Sequence, residues 1–292
     1  MFTGKDIQWT DREQFLERHL SSNIRFAQQV YVQPDFSLEF QTTAFYNSIM
    51  KYGNNTQLDD AFVMKNLMGP NCLTILEELV KQVPIQAGSR VLDLGCGTGL
   101  TSIFLAMEFD VQVFATDLWI DATENYQRIR QLGLQEKIIP IHADAHNLPY
   151  ANDYFDVAIS VDSFQYYGAD PNFLDAHLAP LVKPGGIIAV SMPGLQPGHE
   201  EGSLPDRLKA FWHHEIINFN PLSWWEDLWS RSSMVVPLKT FSHACHRRAW
   251  DQWLLCDNPH AKEDGPMMAE EGGRYFDTIA LVYKRVGSEN ET

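Results

Sequence analysis

Three glycines stand where a predicted strand meets a predicted helix, and this turn could bind an anionic group. The segment reads VLDLGCGTGL at residues 91–100. Glycine permits positive φ angles and lets the backbone approach a ligand closely. The following helix would present free N–H groups and its positive dipole end to a carboxylate or phosphate. We therefore predict that Gly95, Gly97 and Gly99 bind a ligand through this turn.

Three acidic residues lie in or just after predicted strands near the turn. Asp93 precedes the glycines, where its carboxylate could order the turn and face an amino-acid ammonium group. Asp117 ends the next strand, a position suited to ribose hydroxyls, although it could also be a solvated loop acid. Asp144 follows a third strand, where it could face an adenine amino group or simply cap a helix. These positions indicate either a dinucleotide or S-adenosylmethionine.

The glycine spacing separates these two ligands. The dinucleotide fingerprint GxGxxG would require glycine at position 100, where the chain has Leu100. The chain instead has GxGxG, because the third glycine is Gly99. The spacing therefore favours S-adenosylmethionine, and a nicotinamide-dependent oxidoreductase is the less favoured alternative.

Short apolar runs alternate with helical stretches from residue 90 to residue 192. The runs lack polar–apolar alternation, which is typical of parallel strands covered on both faces. Five strands are predicted at residues 91–94, 111–116, 138–142, 157–161 and 187–192. Two later strands, at residues 235–241 and 278–284, complete a doubly wound α/β fold with a seven-stranded, mostly parallel sheet. The last strand is predicted to be antiparallel.

Two further segments are predicted to surround this sheet. Residues 1–70 read as an N-terminal helical cap, with helices that include residues 40–52 and 59–67, and residues 71–292 form the ligand-binding domain. Residues 193–233 form an insertion after strand five, and its helix at residues 223–232 could close over a pocket. Its tryptophans could pack as core or supply an aromatic cage for a cationic amine.

The ordered set of motifs over about residues 70–192 resembles the class I S-adenosylmethionine-dependent methyltransferases. The motifs are the glycine segment, Asp117, the ADA at residues 143–145 with the LPY at residues 148–150, the FDV at residues 155–157 and the LVKPGG at residues 181–186. The whole chain more narrowly resembles a small-molecule branch that contains sarcosine/dimethylglycine N-methyltransferases and cyclopropane fatty-acid synthases. The resemblance implies S-adenosylmethionine as cofactor and a Rossmann-like methyltransferase fold.

The resemblance also assigns roles to residues around the predicted turn. In it, Asp93, Gly95 and Gly97 line the methionine end of the cofactor. Asp117 holds the ribose hydroxyls. Leu118 lies beside the adenine, and Asp144 and Ala145 contact the adenine rim. Val161 lies under the sulfonium.

Polar and aromatic residues follow the fourth strand, at the edge where ligands bind in such sheets. We predict substrate contacts for Gln165 and Tyr166, and for Tyr46 if its helix forms a lid. Three residues are candidates for a general base: Asp162, Tyr166 and His199. Methyl transfer mainly requires alignment of donor and acceptor, so an obvious catalytic dyad is not needed.

The HACH sequence at residues 243–246 is interpreted as a surface strand end and not as a metal site. It lacks the separated second pair of ligands that zinc sites usually have, and no carboxylate stands at a clear ligand interval. We therefore predict no metal.

Composition limits the partners that the protein could have. A net charge of −16 argues against a nucleic-acid partner, and no apolar run is long enough for a membrane helix, so we expect no stable membrane association. The N-terminus lacks a secretion signal, and the 4 cysteines are scattered, which favours the cytoplasm. We therefore expect a methyltransferase with a small-molecule substrate. A non-catalytic module that senses S-adenosylmethionine is the other alternative, and the sequence predicts no oligomeric state.

Overall fold

The computed structural model describes residues 50–200, 202, 204–209, 211 and 218–287. Most of the predicted N-terminal cap, including Tyr46, lies outside the described residues. Within these ranges the strands are β1 (Met50–Tyr52), β2 (Thr56–Leu58), β3 (Arg90–Leu94), β4 (Gln112–Asp117), β5 (Ile138–His142), β6 (Phe155–Val161), β7 (Val182–Leu195), β8 (Val235–Ser242) and β9 (Phe276–Arg285).

Helices connect most of these strands. They are α1 (Asp60–Asn66), α2 (Cys72–Leu79), α3 (Leu100–Phe109), α4 (Ala122–Gln131), α5 (Asp206–Lys209), α6 (Leu222–Trp229), α7 (His246–Leu254) and α8 (Pro259–Glu271). Short irregular helical turns occupy Phe164–Tyr166 and Leu174–Leu178. Among the helices of the described ranges, none has the length and apolar character needed to cross a membrane.

Seven strands of the described chain form one sheet, in the order β5-β4-β3-β6-β7-β9-β8. β9 runs antiparallel to both of its neighbours, and the other pairs are parallel. The predicted fold is therefore confirmed. The chain moves outward from β3 in one direction through β4 and β5, and then returns to continue on the other side with β6. This switch at β3 opens a crevice beyond the carboxyl ends of the strands, where the glycine turn lies.

Side chains from alternate strand positions enter two separate cores, which is why the strands read as continuous apolar runs. On β3, Val91 lies in the core under α2, α3 and α7, whereas Leu92 lies in the core on the opposite face. Both faces of the sheet are thus covered, as parallel strands require. Residues Tyr52, Leu58 and Val63 from the predicted cap segment share the first of these cores.

Three local expectations differ from the structure. Residues Met50–Tyr52 pair with β2 as a strand and do not continue a helix. The helix expected at residues 223–232 is present as α6 and ends three residues earlier than expected. Trp225 and Trp229 are fully buried against the sheet, so α6 is a packed crossover helix and these two rings cannot form an open aromatic cage. Helix α8 was not predicted, because Gly265 and Pro266 interrupt its sequence.

Candidate functional site

The predicted glycine turn has the backbone conformation that only glycine adopts easily. Gly95, Gly97 and Gly99 have φ angles of 73°, 53° and 85°, in the left-handed region. The amides of Gly95 and Cys96 donate to the carbonyl of Thr116 over 2.8 and 3.1 Å. The turn is therefore fastened to the end of the neighbouring strand β4.

Asp117 connects this turn to the loop that follows β4. Its Oδ2 accepts a 2.8 Å hydrogen bond from the Gly97 amide. Its Oδ1 accepts from the amides of Trp119 and Ile120 over 2.7 and 2.8 Å. The side chain is thus held in one orientation by three backbone donors. A carboxylate has about four acceptor positions in all, so one remains, on Oδ2, for a ligand hydroxyl.

Residues from two helices hold the outer side of the turn. From α4, the Asn125 amide donates to the Gly97 carbonyl over 2.9 Å, and Arg128 Nε donates to the Thr98 carbonyl over 3.0 Å. The Thr98 hydroxyl donates to the carbonyl of Asn66 at the end of α1 over 2.6 Å. Most carbonyls of the turn therefore have partners, which orders the turn before any ligand arrives.

Asp93 is buried beneath the turn and contacts the first residues of α3. Its Oδ2 accepts from the hydroxyls of Thr101 and Ser102 over 2.6 and 2.5 Å. Its Oδ1 is buried and has no hydrogen-bond partner among the described residues. Burial raises the pKa of Asp93 to about 6, against the two hydroxyl bonds that lower it. Asp93 thus contacts the start of α3 through one oxygen, and its other oxygen remains available as an acceptor.

The residues assigned to the adenine lie on the β4 and β5 side of the crevice. Leu118 and Trp119 are exposed, at 43% and 46%, so they offer apolar surface directly beside Asp117. Asp144 accepts from the His146 amide and contacts the His146 ring, which places it in a turn and not at the start of a helix. Ala145 is buried next to it.

The end of β6 contributes the candidate base. Val161 is buried at the end of the strand, and Asp162 follows with a φ angle of 56°. The Asp162 amide donates to the Ser191 carbonyl over 2.8 Å. Its Oδ2 lies so close to Gly69 that a side chain at residue 69 would collide with it. Residue 69 therefore must be small for the carboxyl group to take this position.

Two residues predicted to contact substrate stand next to Asp162. Gln165 is 2% exposed, and within the described part of the chain its buried Oε1 has no partner, so a polar acceptor is available there. The Tyr166 ring is partly exposed and packs edge-to-face on Trp119, with ring centroids 4.9 Å apart. Tyr166 and Trp119 therefore join the β6 and β4 ends of the crevice, a contact that the sequence reasoning missed for Trp119.

A second acid, Asp264 on α8, acts on this group and was also missed. Its Oδ2 accepts from the Trp253 indole over 2.8 Å, and burial raises its pKa. Burial raises the pKa of Asp162 to about 8, and the charge of Asp264 adds to this effect. Burial and the charges of Asp162 and Asp264 raise the pKa of Tyr166 well above its usual value. Its phenol therefore stays protonated at neutral pH and does not take up a proton from an acceptor.

His199 lies elsewhere. Its ring packs on Tyr275 with centroids 5.1 Å apart, and its amide donates to the Gln196 carbonyl. The His199 ring therefore contacts the residue before β9, and the described residues give it no contact with the end of β6. Tyr46 lies outside the described residues.

The HACH segment differs from its interpretation as a surface strand end. His243 and Cys245 are 4% and 7% exposed. Glu78 from α2 approaches both, with its Oε2 3.7 Å from His243 Nδ1. Glu78 lies on α2, far from the HACH segment in the chain, so the spacing of residues around HACH did not indicate this carboxylate.

Comparison with known proteins agrees with this geometry. A profile of the family described as "Methyltransferase domain" matches residues 91–186. The methyltransferase GfsG of Streptomyces halstedii is 31% identical over 116 residues, which is 39% of this chain and 41% of that protein. The chain thus spans less than half the length of this curated relative.

Solved structures share the fold at low sequence identity. Geranyl diphosphate C-methyltransferase from Streptomyces coelicolor A3(2), in complex with Mg²⁺, geranyl-S-thiolodiphosphate and S-adenosyl-L-homocysteine, is similar with a TM-score of 0.59 and 16% identity. That likeness covers 73% of this chain and 75% of the other. The [4+2]-cyclase SpnF has a TM-score of 0.58 and 16% identity, with 73% and 81% covered. Residues 91–186 of this chain are therefore similar to a methyltransferase domain, and the chain shares its fold with these solved structures.

Proposed function

We propose that this chain transfers the methyl group of S-adenosylmethionine to a small molecule. The observation that supports this most directly is the joint placement of the glycine turn and Asp117, whose carboxylate is oriented by the Gly97 amide. Such a turn accepts the methionine end of the cofactor, and the carboxylate can accept from a ribose hydroxyl through Oδ2. The adenine would lie on Leu118, near Asp144 and Ala145.

Asp93 fits the same ligand. Its Oδ1 is a buried acceptor without a partner, and a buried polar atom of this kind is stabilised when a donor reaches it. The ammonium group of the methionine moiety is a suitable donor. Hydrogen bonds from Thr101 and Ser102 fix the other oxygen, so the carboxylate could meet the ligand directly or through one water molecule without reorienting.

The bound cofactor supplies a sulfonium methyl group with a good leaving group. The protein then has to align the acceptor with that methyl group and exclude water. Val161 lies at the end of β6, under the expected position of the sulfonium. Gln165 and Tyr166 stand beside it, and Tyr46, which lies outside the described residues, is proposed to cover the acceptor. The segment that begins at residue 193 and carries His199 would form the remaining wall.

A neutral hydroxyl or amine acceptor must lose a proton, and Asp162 is the best-placed base of the three candidates. Its pKa of about 8 lies near physiological pH, which suits proton transfer. Tyr166 would donate a hydrogen bond to the acceptor more readily than it would take its proton. His199 has its contacts at the start of β9, so we give it a wall position and not the role of base.

The charges around the crevice support a neutral or cationic small acceptor over an anionic polymer. The charge of Asp264 acts on Asp162, and the chain has a net charge of −16. We accordingly propose no nucleic-acid partner. We also propose a cytoplasmic location, which the four unpaired cysteines at 72, 96, 245 and 256 favour.

Two alternatives have less support. A non-catalytic sensor of S-adenosylmethionine would not need Asp162 and an unpartnered Gln165 acceptor beside the methyl position. A nicotinamide-dependent oxidoreductase would need the third glycine of the fingerprint, and Leu100 is instead 1% exposed within the core.

The test is methyl transfer to a panel of small amines, hydroxyl compounds and thiols, measured as S-adenosylhomocysteine formed. Tyr166→Ala should lower the turnover of any accepted compound at least tenfold and leave cofactor affinity within about twofold. Tyr126→Ala is the matched control, because Tyr126 is also exposed but lies on α4. It should leave turnover unchanged.

Two results would contradict the proposal. One is methylation of proteins or nucleic acids only, which would show that the crevice is open to macromolecules. The other is turnover that does not respond to Tyr166→Ala, which would show that the acceptor lies elsewhere.

A further inference from the structure

Three side chains that bind transition metals converge beside the end of β8. Glu78 comes from α2, and His243 and Cys245 lie between β8 and α7. Their donor atoms all lie within 4.8 Å of one another. His243 Nδ1 is 3.7 Å from Glu78 Oε2 and 3.9 Å from Cys245 Sγ. One nitrogen, one sulfur and one oxygen therefore face a common point.

The His243–Glu78 separation suits a shared cation better than a direct hydrogen bond, whereas the Cys245 thiol is within reach of a weak hydrogen bond to His243 Nδ1. A nitrogen–oxygen hydrogen bond is normally about 2.7–3.2 Å long, so 3.7 Å is too long for one. In tetrahedral zinc sites, bond lengths of about 2.0–2.3 Å place neighbouring ligand atoms roughly 3.4–3.6 Å apart. The two measured distances exceed these values by only a few tenths of an ångström, which a small closure of the side chains would remove.

Neighbouring groups already orient two of the three donors. His243 Nε2 bonds the Ser191 hydroxyl over 2.8 Å, so the ring nitrogen that faces Glu78 and Cys245 can remain free of a proton. Metal-binding histidines are commonly fixed through their second nitrogen in this way. The Glu78 oxygens accept from the amides of Ala244 and Cys245 over 2.9 and 3.0 Å, and each retains a lone pair.

Burial leaves one open direction at the cluster. The His243 side chain is fully buried, whereas that of Glu78 is 26% exposed. A water molecule could therefore enter from the Glu78 side as a fourth ligand. A thiolate and a carboxylate would balance the charge of a divalent ion, and binding would release the thiol proton to solvent. The mixed donor set favours zinc over calcium or magnesium, which prefer oxygen ligands.

We propose that Glu78, His243 and Cys245 bind one Zn²⁺ ion, with solvent as the fourth ligand. The ion would connect α2 to the junction of β8 and α7, two segments that are far apart in sequence. Its role is structural, because the donors face one another and not the crevice. The simpler account is that Glu78 only caps the start of α7 through its two amide contacts. Titration with a metal ion distinguishes a bound ion from a capping role alone.

The test uses cobalt as a spectroscopic probe. The full chain, stripped with a chelator, is titrated with Co²⁺ under reducing conditions. We expect one Co²⁺ per chain, visible bands of a tetrahedral site and a near-ultraviolet band from thiolate-to-cobalt charge transfer. Stoichiometric Zn²⁺ should remove all these bands. An absence of saturable binding, or a spectrum without a thiolate band, would overturn the proposal.

Matched cysteine variants identify the ligand. Cys245→Ser should abolish the thiolate band, whereas Cys256→Ser, which changes another buried cysteine at the far end of α7, should retain it. Circular dichroism checks that both variants fold. If Cys245→Ser does not fold, Glu78→Gln supplies the second test: it should keep the thiolate band and weaken Co²⁺ binding at least tenfold. A thiolate band that persists in folded Cys245→Ser, or unchanged affinity in Glu78→Gln, would contradict the site.

Discussion

The amide of Gly97 donates a 2.8 Å hydrogen bond to Oδ2 of Asp117, so the glycine turn after β3 and the acid at the end of β4 form one unit. These residues are 20 positions apart in the chain. The parallel pairing of β3 with β4 brings them to the same edge of the sheet. A change at Asp117 should therefore affect both the ribose contacts and the order of the turn.

Asp117→Asn should weaken binding of S-adenosylhomocysteine by roughly 1.5–3 kcal/mol, because a charge-assisted hydrogen bond to a ribose hydroxyl is lost. Calorimetry measures the difference. Asp110→Asn is the matched control, since Asp110 lies at the opposite edge of the sheet, where it pairs with Lys137. It should leave affinity unchanged. An unaltered dissociation constant in folded Asp117→Asn would show that another residue holds the ribose.

Gly95→Ala should destabilise the protein and abolish cofactor binding. A side chain there would be strained at a φ angle of 73° and would collide with the Ser163 hydroxyl. Gly133→Ala separates these causes, because Gly133 has a φ angle of 71° with open space around it. It should cost about 1–2 kcal/mol from backbone strain alone and leave binding intact. Equal losses in the two variants, measured by chemical unfolding, would mean that the collision is unimportant.

The sequence predicted the sheet and its glycine turn well, because both follow from local patterns. Residues 91–94 and 157–161 are mostly apolar without alternation, and the turn requires glycine at specific positions. The Trp119–Tyr166 contact was not predictable in this way, because it depends on which loops meet above β3. Nor was the approach of Glu78 to His243, whose positions in the chain differ by 165 residues.

The sequence was least informative for residues 193–275. Amphipathic spacing identified α6 but could not tell which surface it covers, and the tryptophan-rich pattern equally suits a core helix or a lid. Asp264 was missed because Gly265 and Pro266 mask the helical pattern of α8. Proline in a helix is unfavourable locally, and packing of α8 against α7 compensates for it.

Trp229→Ala should lower the free energy of unfolding by about 3–5 kcal/mol, because its fully buried ring packs on Phe164 and Tyr283 in the core. Trp224→Ala should change it by no more than about 0.5 kcal/mol, since that ring is partly exposed. Chemical denaturation measures both. A small loss at Trp229 together with a large loss of activity would instead favour a substrate-binding ring.

The stability of the ligand-free protein should fall with rising pH because of Asp162. Its pKa is raised from 3.8 to about 8 on folding, so the folded state holds a proton that the unfolded state has released between these values. Stability from this group is therefore complete below about pH 4 and is lost progressively up to about pH 8.

Asp162→Asn removes this titration. The unfolding free energy of the wild type, relative to the variant, should fall with pH by at most about 1.4 kcal/mol per unit in that window. Asparagine tolerates the φ angle of 56°, so the backbone should be retained. Parallel pH profiles for the two proteins would show that Asp162 is not the responsible group.

The proposed function depends most on which ligand binds at the glycine turn. Isothermal titration calorimetry of the full chain measures this binding directly. S-adenosylmethionine and S-adenosylhomocysteine should each bind at one site per chain, with dissociation constants in the micromolar range. NAD⁺ and NADH should give no saturable heat. Absence of heat and of any thermal shift with both sulfur ligands would contradict the central claim, as would tighter binding of a nicotinamide dinucleotide.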